Sequence, residues 1–427
     1  MSQFKKIAII IKEKESNWRS CQLITSNLLK SYKNAFINSE SEVISVPEIM
    51  NAYDAYKLAS KIKDEIFDLI IWLDHQPNPS KFLMALHREF AVEVFRAKPK
   101  LVIHLFGDFV LDCRKWNDCQ EALKNLPVHF HVASNKQKQL VDSLFLAESD
   151  NVSVCPFPVD ETLFNFNDFD LKRKKLRQEL KIDRDEKLFV YSGRISFQKN
   201  IDVLIKIFDL ISTFTLKKAK LVLAGPWDDI LVPYFGKRGV CGSYYHYFHH
   251  SMKDPLGENI LFTGNLSSED LVALYSAADG FLSLSTYNDE DFGMSPAEAL
   301  CLGLPCLLSD WAGYSNFQEY SKNVNLIAVK KNSTRPLVDS MHARKELLKM
   351  FEGPTFSKAE RMILSKEAYG YLSIEAISIK ITTQIENLNF SHLNAFSKTF
   401  DNLCSSFSNN PMSPFKDELY QEIYAVY

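Results

Sequence analysis

Apolar positions along this chain form short unbroken runs, set between stretches where they recur every third or fourth residue. KIAIII (6–11), FDLIIWL (67–73), KLVIHLF (100–106) and VHFHVAS (128–134) read as strands. The segments 51–65 and 80–96 between them carry the helical spacing. Nearly continuous apolar strands between amphipathic helices predict a parallel sheet covered on both faces, an α/β domain of the open, doubly wound kind. SVCPFPVDETLFN (153–165) then brings two prolines and places a domain boundary near 165. A second α/β pattern follows, with strands at 187–193, 220–225, 259–264, 280–285, 305–310 and 324–329. Helices are expected at 200–212, 268–277 and 296–302. Residues 226–258 make a long connection between two of these strands, and the chain after 363 reads as largely helical. Its Ser-, Phe- and Asn-rich stretch at 391–415 is either a docked extension or a loosely ordered tail. The expected domains are therefore 1–165, 166–385 and an extension over 386–427.

Length agrees with this division, because 427 residues exceed one ordinary core and suit two domains of roughly 150 to 200 residues. Fifty basic against fifty-three acidic side chains leave a net charge of −3, so no global attraction to nucleic acid is expected. The densest basic run, LKRKKLR (171–177), reads as a solvated helix face. Eight cysteines scattered through the chain suit thiols in a reducing compartment. The opening MSQFKKIAIIIKEKES reads as a first strand, its apolar run being too short for a signal peptide. No apolar stretch approaches 18 residues, so a cytoplasmic protein is expected, with peripheral contact to a membrane surface left open.

The sharpest chemical signal is STYNDEDFGMSPAEALCLGLPCLLSD (285–310). A strand ends near Ser285, a polar turn follows, and Ser295, Pro296 and Glu298 suit the N-cap, first and third positions of a helix. A capping box therefore explains Glu298 without any ligand, although a carboxylate in a first turn can also face a hydroxyl. Amides at Phe292, Gly293 and Met294 stand where a helix start holds an anion, and Gly293 lets the backbone come close. Glu290 lies eight residues before Glu298, at the carboxyl end of a strand where open sheets bind ligands. It reads equally as a solvated turn residue. Upstream, KLFVYSGRISFQKN closes a strand at Gly193 and projects Arg194 and Lys199 beyond it. Two cations there suit a diphosphate, with solvated charges as the competing reading. In GSYYHYFHH, His246, His249 and His250 share a helical face, but no further ligand at fixed spacing completes a metal site.

In order and spacing these segments resemble the retaining glycosyltransferases of family 4, whose GT-B fold joins two Rossmann-like domains with a cleft between them. GRISFQKNIDVLIKIF is similar to the family's G-R-x-x-x-x-K-[GN] segment, and EDFGMSPAE to its glutamate, seven residues, glutamate motif. The resemblance is strongest over about 185–325. It implies that Gly193, Arg194 and Lys199 serve the donor diphosphate and that Glu290 contacts the transferred sugar. It also implies roles for the amides of Phe292, Gly293 and Met294 at the sugar or phosphate, and for Glu298 at the ribose hydroxyls. In the first domain, the acceptor side by this resemblance, IHLFGDF (103–109) is similar to a His-bearing strand end, with His104 as first choice and Asp108 as second. The resemblance implies a nucleoside diphosphate sugar as co-substrate, no metal or other cofactor, and a glycan, lipid-linked or small-molecule acceptor.

Two departures stand out. Where the family often has a glycine-rich loop after its first strand, this chain has IKEKESNWRS (11–20), without glycine. DWAGYSNF (310–317) replaces a commoner Gly-Gly form. The altered first loop keeps alive a non-catalytic member that binds sugar nucleotides or a partner protein, and an epimerase or phosphorylase of the same two-domain architecture is the alternative among enzymes.

Overall fold

The computed structural model describes the whole chain except residues 1–3, 17, 75, 92–96, 146–150, 217, 228–232, 235–236, 239–242, 252–257, 289, 332–335, 389, 391–392, 394–395 and 410–416. It divides into two compact units, one of residues 1–158, 374–415 and 422–426, the other of 159–373 with 416–421 and 427. Among the described residues no helix is long and apolar enough to cross a membrane.

The first unit begins with β1 (Lys6–Lys12), α1 (Arg19–Ala35), β2 (Glu40–Val46), α2 (Ala52–Asp64), β3 (Leu69–Trp72) and α3 (Ser80–Ala91). β4 (Lys100–His104), α4 (Cys113–Asp118), α5 (Gln120–Asn125), β5 (Val128–Val132), α6 (Asn135–Phe145) and β6 (Val152–Val154) follow. The six strands are parallel, in the order β2-β1-β3-β4-β5-β6. The interior strands are the apolar runs of the sequence. β2 and β6 were not expected, because both are edge strands: ESEVISV keeps its first residues exposed, and β6 is only three residues long. Strand order reverses between β1 and β3. There Asp74 accepts from the Lys12 amide at 2.8 Å and from the Thr25 hydroxyl at 2.5 Å, tying the ends of both strands to α1.

The second unit runs through α7 (Phe169–Glu179), β7 (Lys187–Ser192), α8 (Ile201–Phe214) and β8 (Ala219–Ala224). A short antiparallel pair, β9 (Pro233–Tyr234) and β10 (Lys237–Arg238), leads to α9 (Ser243–Ser251) and β11 (Ile260–Gly264). Then come α10 (Ser268–Ala277), β12 (Gly280–Ser283), α11 (Met294–Cys301), β13 (Cys306–Ser309), α12 (Phe317–Tyr320) and β14 (Val324–Ile327). A second short antiparallel pair, β15 (Val329–Lys330) and β16 (Leu337–Val338), precedes α13 (Ser340–Glu352) and α14 (Lys358–Leu372). The six main strands are parallel in the order β11-β8-β7-β12-β13-β14, the doubly wound order whose switch point lies between β7 and β12. After Ser373 the chain rejoins the first unit. There α15 (Ile374–Asn387) packs on α1, and Phe400 of α16 (Lys398–Asn409) packs on Phe145 with ring centroids 5.4 Å apart. The docked alternative thus describes 398–409, while 410–416 lie outside the described residues.

The basic run 171–177 is not simply a solvated face. Arg173 donates to the carbonyls of Ser276, Ala277 and Ala278 at 2.9–3.1 Å and pairs with Asp279 at 2.7 Å. Arg177 reaches Asp279 at 3.2 Å, and from α14 the buried Arg361 donates to the carbonyls of Tyr275, Ser276, Ala278 and Leu302 at 2.7–3.2 Å. A helix leaves its last carbonyls unpaired at the negative end of its dipole, and here three guanidinium groups satisfy the end of α10. Spacing alone could not reveal this, since the acceptors are backbone atoms about a hundred residues away. Burial, and then Arg173, push the Arg361 pKa down to about 9, with Asp279 opposing the shift. Arg361→Ala should therefore destabilise the folded chain by roughly 3 to 5 kcal/mol in urea titration, and a loss below about 1 kcal/mol would contradict this role.

Candidate functional site

The segments singled out in the second unit meet at its switch point, at the carboxyl ends of β7 and β12. Gly193 follows β7 and donates its amide to Ala224 O at 2.9 Å. Arg194 follows it, with its carbonyl bound by the Tyr191 hydroxyl at 2.7 Å. Lys199 ends a single 3₁₀ turn, Phe197–Lys199, and Asn200 then takes φ +52° before α8 begins. That left-handed position suits Asn or Gly and no branched residue, which gives the K-[GN] pattern a physical reason. The Asn200 amide donates to Leu284 O at 2.8 Å and Thr286 Oγ1 at 2.9 Å, and the Thr286 amide donates to Gln198 O at 2.9 Å. The turn bearing Lys199 is thereby fastened to the segment leaving β12.

This fastening delivers Lys199 Nζ to Glu290 Oε2 at 2.5 Å, with side-chain exposures of 13% and 10%. Glu290 is therefore not a solvated turn residue. Its carbonyl accepts from the Gly313 amide at 2.6 Å and its amide donates to Tyr287 O at 3.2 Å. The Tyr314 hydroxyl lies 3.0 Å from Ser283 Oγ. Burial lowers the Lys199 pKa from its usual value, with Glu290 opposing the shift and Arg194 adding to it. Burial first, and then Glu290, raise the Tyr314 hydroxyl well above its ordinary range. Asp289, in the acidic string beside Glu290, lies outside the described residues.

The expected capping box does not form. Helix α11 starts at Met294 with Gly293 as its N-cap, no side chain caps it, and Glu298 falls in the second turn. The first helical bond runs from the Ala297 amide to Gly293 O at 3.2 Å. Pro296 thus stands at the third helical position, where its missing N–H costs nothing, and the proline need not mark the helix start. Gly293 has φ +119°, and a Cβ on it would lie 2.5 Å from the Tyr314 ring. The amides of Gly293 and Met294 precede the first helical bond and have no carbonyl within the helix to bind. The Phe292 ring is buried against Phe317 at 5.4 Å, an anchor for the turn. Glu298 has no exposed surface, and it adds to the effect of burial in raising the Cys301 thiol.

Sequence reasoning missed Tyr287, Tyr314 and Gly313. The signal for Gly313 stood in DWAGYSNF. A Cβ there would lie 2.4 Å from Asp291 O, so only glycine lets that loop close on the Glu290 turn. Its neighbour Ala312 adopts φ +49°, a left-handed conformation that the commoner Gly-Gly form accommodates without strain. His246, His249 and His250 are exposed on α9, and no metal-binding group of three or more His, Cys, Asp or Glu occurs among the described residues. The described cysteines are thiols, while Cys241 lies outside the described residues.

In the first unit the expected site residues are not brought into such an arrangement. His104 ends β4 but turns inward, 3% exposed, with its Nε2 2.7 Å from the Tyr32 hydroxyl of α1. The same hydroxyl lies 3.0 Å from His131 Nδ1, and the two imidazoles pack edge to face at 5.2 Å. Burial pushes the His104 pKa down to about 3 and that of His131 well below its usual value. The reading of His104 as a donor-facing residue gives way to one of packing, because the alternation of β4 aims this ring at α1. The side chain of Asp108 lies outside the described residues, although its backbone belongs to a 3₁₀ turn at Gly107–Val110.

The stretch 172–342, which contains all the residues that meet at this switch point, matches the family Glycosyl transferases group 1. One relative is an uncharacterized glycosyltransferase of Methanocaldococcus jannaschii, 27% identical over 192 residues, 44% of this chain and 44% of its own. Another is the lipopolysaccharide 1,2-N-acetylglucosaminetransferase of Salmonella typhimurium, 30% identical over 142 residues, 33% of this chain and 35% of its own. The chain spans less than half the length of either relative. Among solved structures, an Anabaena protein in complex with UDP is similar with a TM-score of 0.62 at 15% identity, over 90% of this chain and all of the other. The architecture of two parallel six-stranded α/β units is that of GT-B glycosyltransferase structures.

The buried histidines carry a pH signature. A histidine held neutral in the fold with a lowered pKa takes up its proton on unfolding once the pH falls below about 6.5. The stability it contributes is full above that value and is lost as the pH falls towards its folded pKa, near 3 for His104. Each of the two rings should cost about 1.4 kcal/mol per pH unit in that window. Urea midpoints measured between pH 7 and 5 should fall steeply, and His104→Gln should flatten the slope by about one proton. An unchanged slope would contradict a neutral, buried His104.

Proposed function

We propose that this protein transfers a hexosyl group from a nucleoside diphosphate sugar to a hydroxyl of a glycan, glycolipid or other acceptor, with retention at the anomeric carbon. The observation that carries this reading is the Lys199–Glu290 pair, set at the switch point beside Arg194 and the open amides of α11. A departing nucleoside diphosphate gains negative charge, and preorganised cations and amides stabilise such charge without reorganising. Arg194 offers planar, two-pronged geometry and Lys199 a compact charge. Glu290 plays two parts. In the empty site it neutralises Lys199, and with donor present its carboxylate accepts from sugar hydroxyls while the phosphate takes over the ammonium. Neither Glu290 nor Glu298 acts as a nucleophile in this scheme, so the carboxylate pair of glycosidases is the wrong template.

Glu298 reaches a ribose only by turning out of its enclosed position. His104, tied to Tyr32, is not carried into the catalytic set. The chemistry on the first unit, and with it the identity of the acceptor, belongs to loops at the carboxyl edge of that sheet. The thiols and the absence of a membrane-spanning helix among the described residues are consistent with work in the cytoplasm. A second reading, a sugar-nucleotide binder without turnover, draws on one observation: the loop after β1 lacks glycine, and Asp74 fastens the strand end from which it departs.

A panel of nucleoside diphosphate sugars, assayed with an extract of acceptors and mass-spectrometric detection of product, separates these readings. Transferase action predicts release of free nucleoside diphosphate only when acceptor is present. An epimerase converts the donor without acceptor, and a binder consumes nothing. Folded Lys199→Ala, Arg194→Ala and Glu290→Ala variants should lose about a hundredfold or more in turnover. Near-normal transfer by a folded Glu290→Ala protein would sink the assignment. Glu298→Ala should weaken nucleotide binding with folding intact if Glu298 serves the ribose, and reduce the yield of folded protein if its role is only structural.

A further inference from the structure

We propose that Tyr287 is a positioning residue of this site: its ring is the platform that holds the Arg194 guanidinium and the Lys199 ammonium side by side, so that both address one diphosphate. This rests on the reading of the cations as the diphosphate site and adds the residue that makes their proximity tolerable. The guanidinium carbon of Arg194 lies 5.3 Å from the ring centroid and the ammonium of Lys199 lies 5.0 Å from it. Both distances fall within the range where a cation is attracted by the electron-rich face of an aromatic ring. Two like charges drawn to one ring repel each other, and Glu290 is ion-paired with Lys199 beside that ring. An aromatic face offers attraction to both without adding a charge that would compete with an incoming phosphate.

The ring has little freedom, because its backbone is fastened on both sides. The Tyr287 carbonyl accepts from the Trp311 indole at 2.9 Å and from the Glu290 amide at 3.2 Å, while its own amide donates to Ser285 Oγ at 3.3 Å. Tyr287 is 8% exposed and Trp311 is 1% exposed, so the platform is part of the unit's packed interior. The same turn therefore fixes three things at once: the Glu290 carboxylate, the entry into α11, and the surface on which the cations rest. Anion selectivity follows. A pair of cations at fixed spacing prefers a diphosphate to a single phosphate, whereas two independently mobile cations lose much of that preference.

The test compares inorganic pyrophosphate with inorganic phosphate by calorimetry on the full chain. Wild type should bind pyrophosphate more tightly than phosphate, and Tyr287→Phe, which keeps the ring, should preserve that ratio. Tyr287→Leu should lower the ratio by about tenfold in the folded fraction of the variant. Trifluorinated phenylalanine at 287 keeps the shape of the Tyr287→Phe ring and withdraws its electron density. It should weaken pyrophosphate binding relative to Tyr287→Phe, and this arm decides the question even if the leucine variant does not fold. An unchanged ratio in folded Tyr287→Leu, or equal affinity for the fluorinated and plain rings, would overturn the proposal. Arg194→Ala and Lys199→Ala guard the underlying reading: if neither lowers pyrophosphate affinity, the diphosphate site itself is wrong. If they do and the ring variants do not, only the platform is wrong.

Discussion

The arrangement of the second unit turns on one half-hidden ion pair, Lys199 with Glu290. Removing two charges from water costs more than their attraction returns unless geometry and hydrogen bonds are good. Much of the local backbone is spent on supplying them. Asn200 accepts a left-handed conformation so that the lysine-bearing turn meets the segment leaving β12. Gly293 gives up its Cβ to the Tyr314 ring, and Gly313 gives up its own so that its amide reaches Glu290. Each of these residues would be an odd choice in isolation, and each is explained by the pair.

β12 is held from both ends for this purpose. At its entry, Arg173, Arg177 and Arg361 gather the last carbonyls of α10 and, through the first two, the Asp279 carboxylate. At its exit, the Lys199 turn holds Leu284 and Thr286, Trp311 holds Tyr287, and Tyr314 holds Ser283. Open parallel sheets bind ligands where strand order reverses, and rigid strand ends make such a place precise enough for chemistry. The arginines on the other edge are occupied by the carbonyls of α10 and by the Asp279 carboxylate.

Much of this was legible in the sequence. All six main strands of the second unit stood out as apolar runs, while strand ends and turn chemistry marked Arg194, Lys199, Glu290 and Gly293 only as candidates, beside a reading of solvated charges, until the resemblance was added. What stayed hidden shares a physical cause, dependence on contacts distant along the chain. β2 and β6 lie at sheet edges and need no continuous apolar run. Arg361 looks like an ordinary helix charge until its carbonyl partners are known. His104 ends a strand at the binding edge of its sheet, and only the position of Tyr32 shows that its ring points the other way. Glu298 matched a capping box in one dimension, but with Gly293 as N-cap the helix starts two residues earlier and leaves Glu298 in its second turn.

The central claim is that the β7–β12 switch point is an anion site in which a phosphate competes with Glu290 for Lys199. A crystal structure with inorganic pyrophosphate tests it most directly. An anion should lie between Arg194 and Lys199 within hydrogen-bonding distance of the Gly293 or Met294 amide, with the lysine drawn away from Glu290. Pyrophosphate bound elsewhere with Lys199 still paired to Glu290, or an empty switch point at saturating anion, would contradict it.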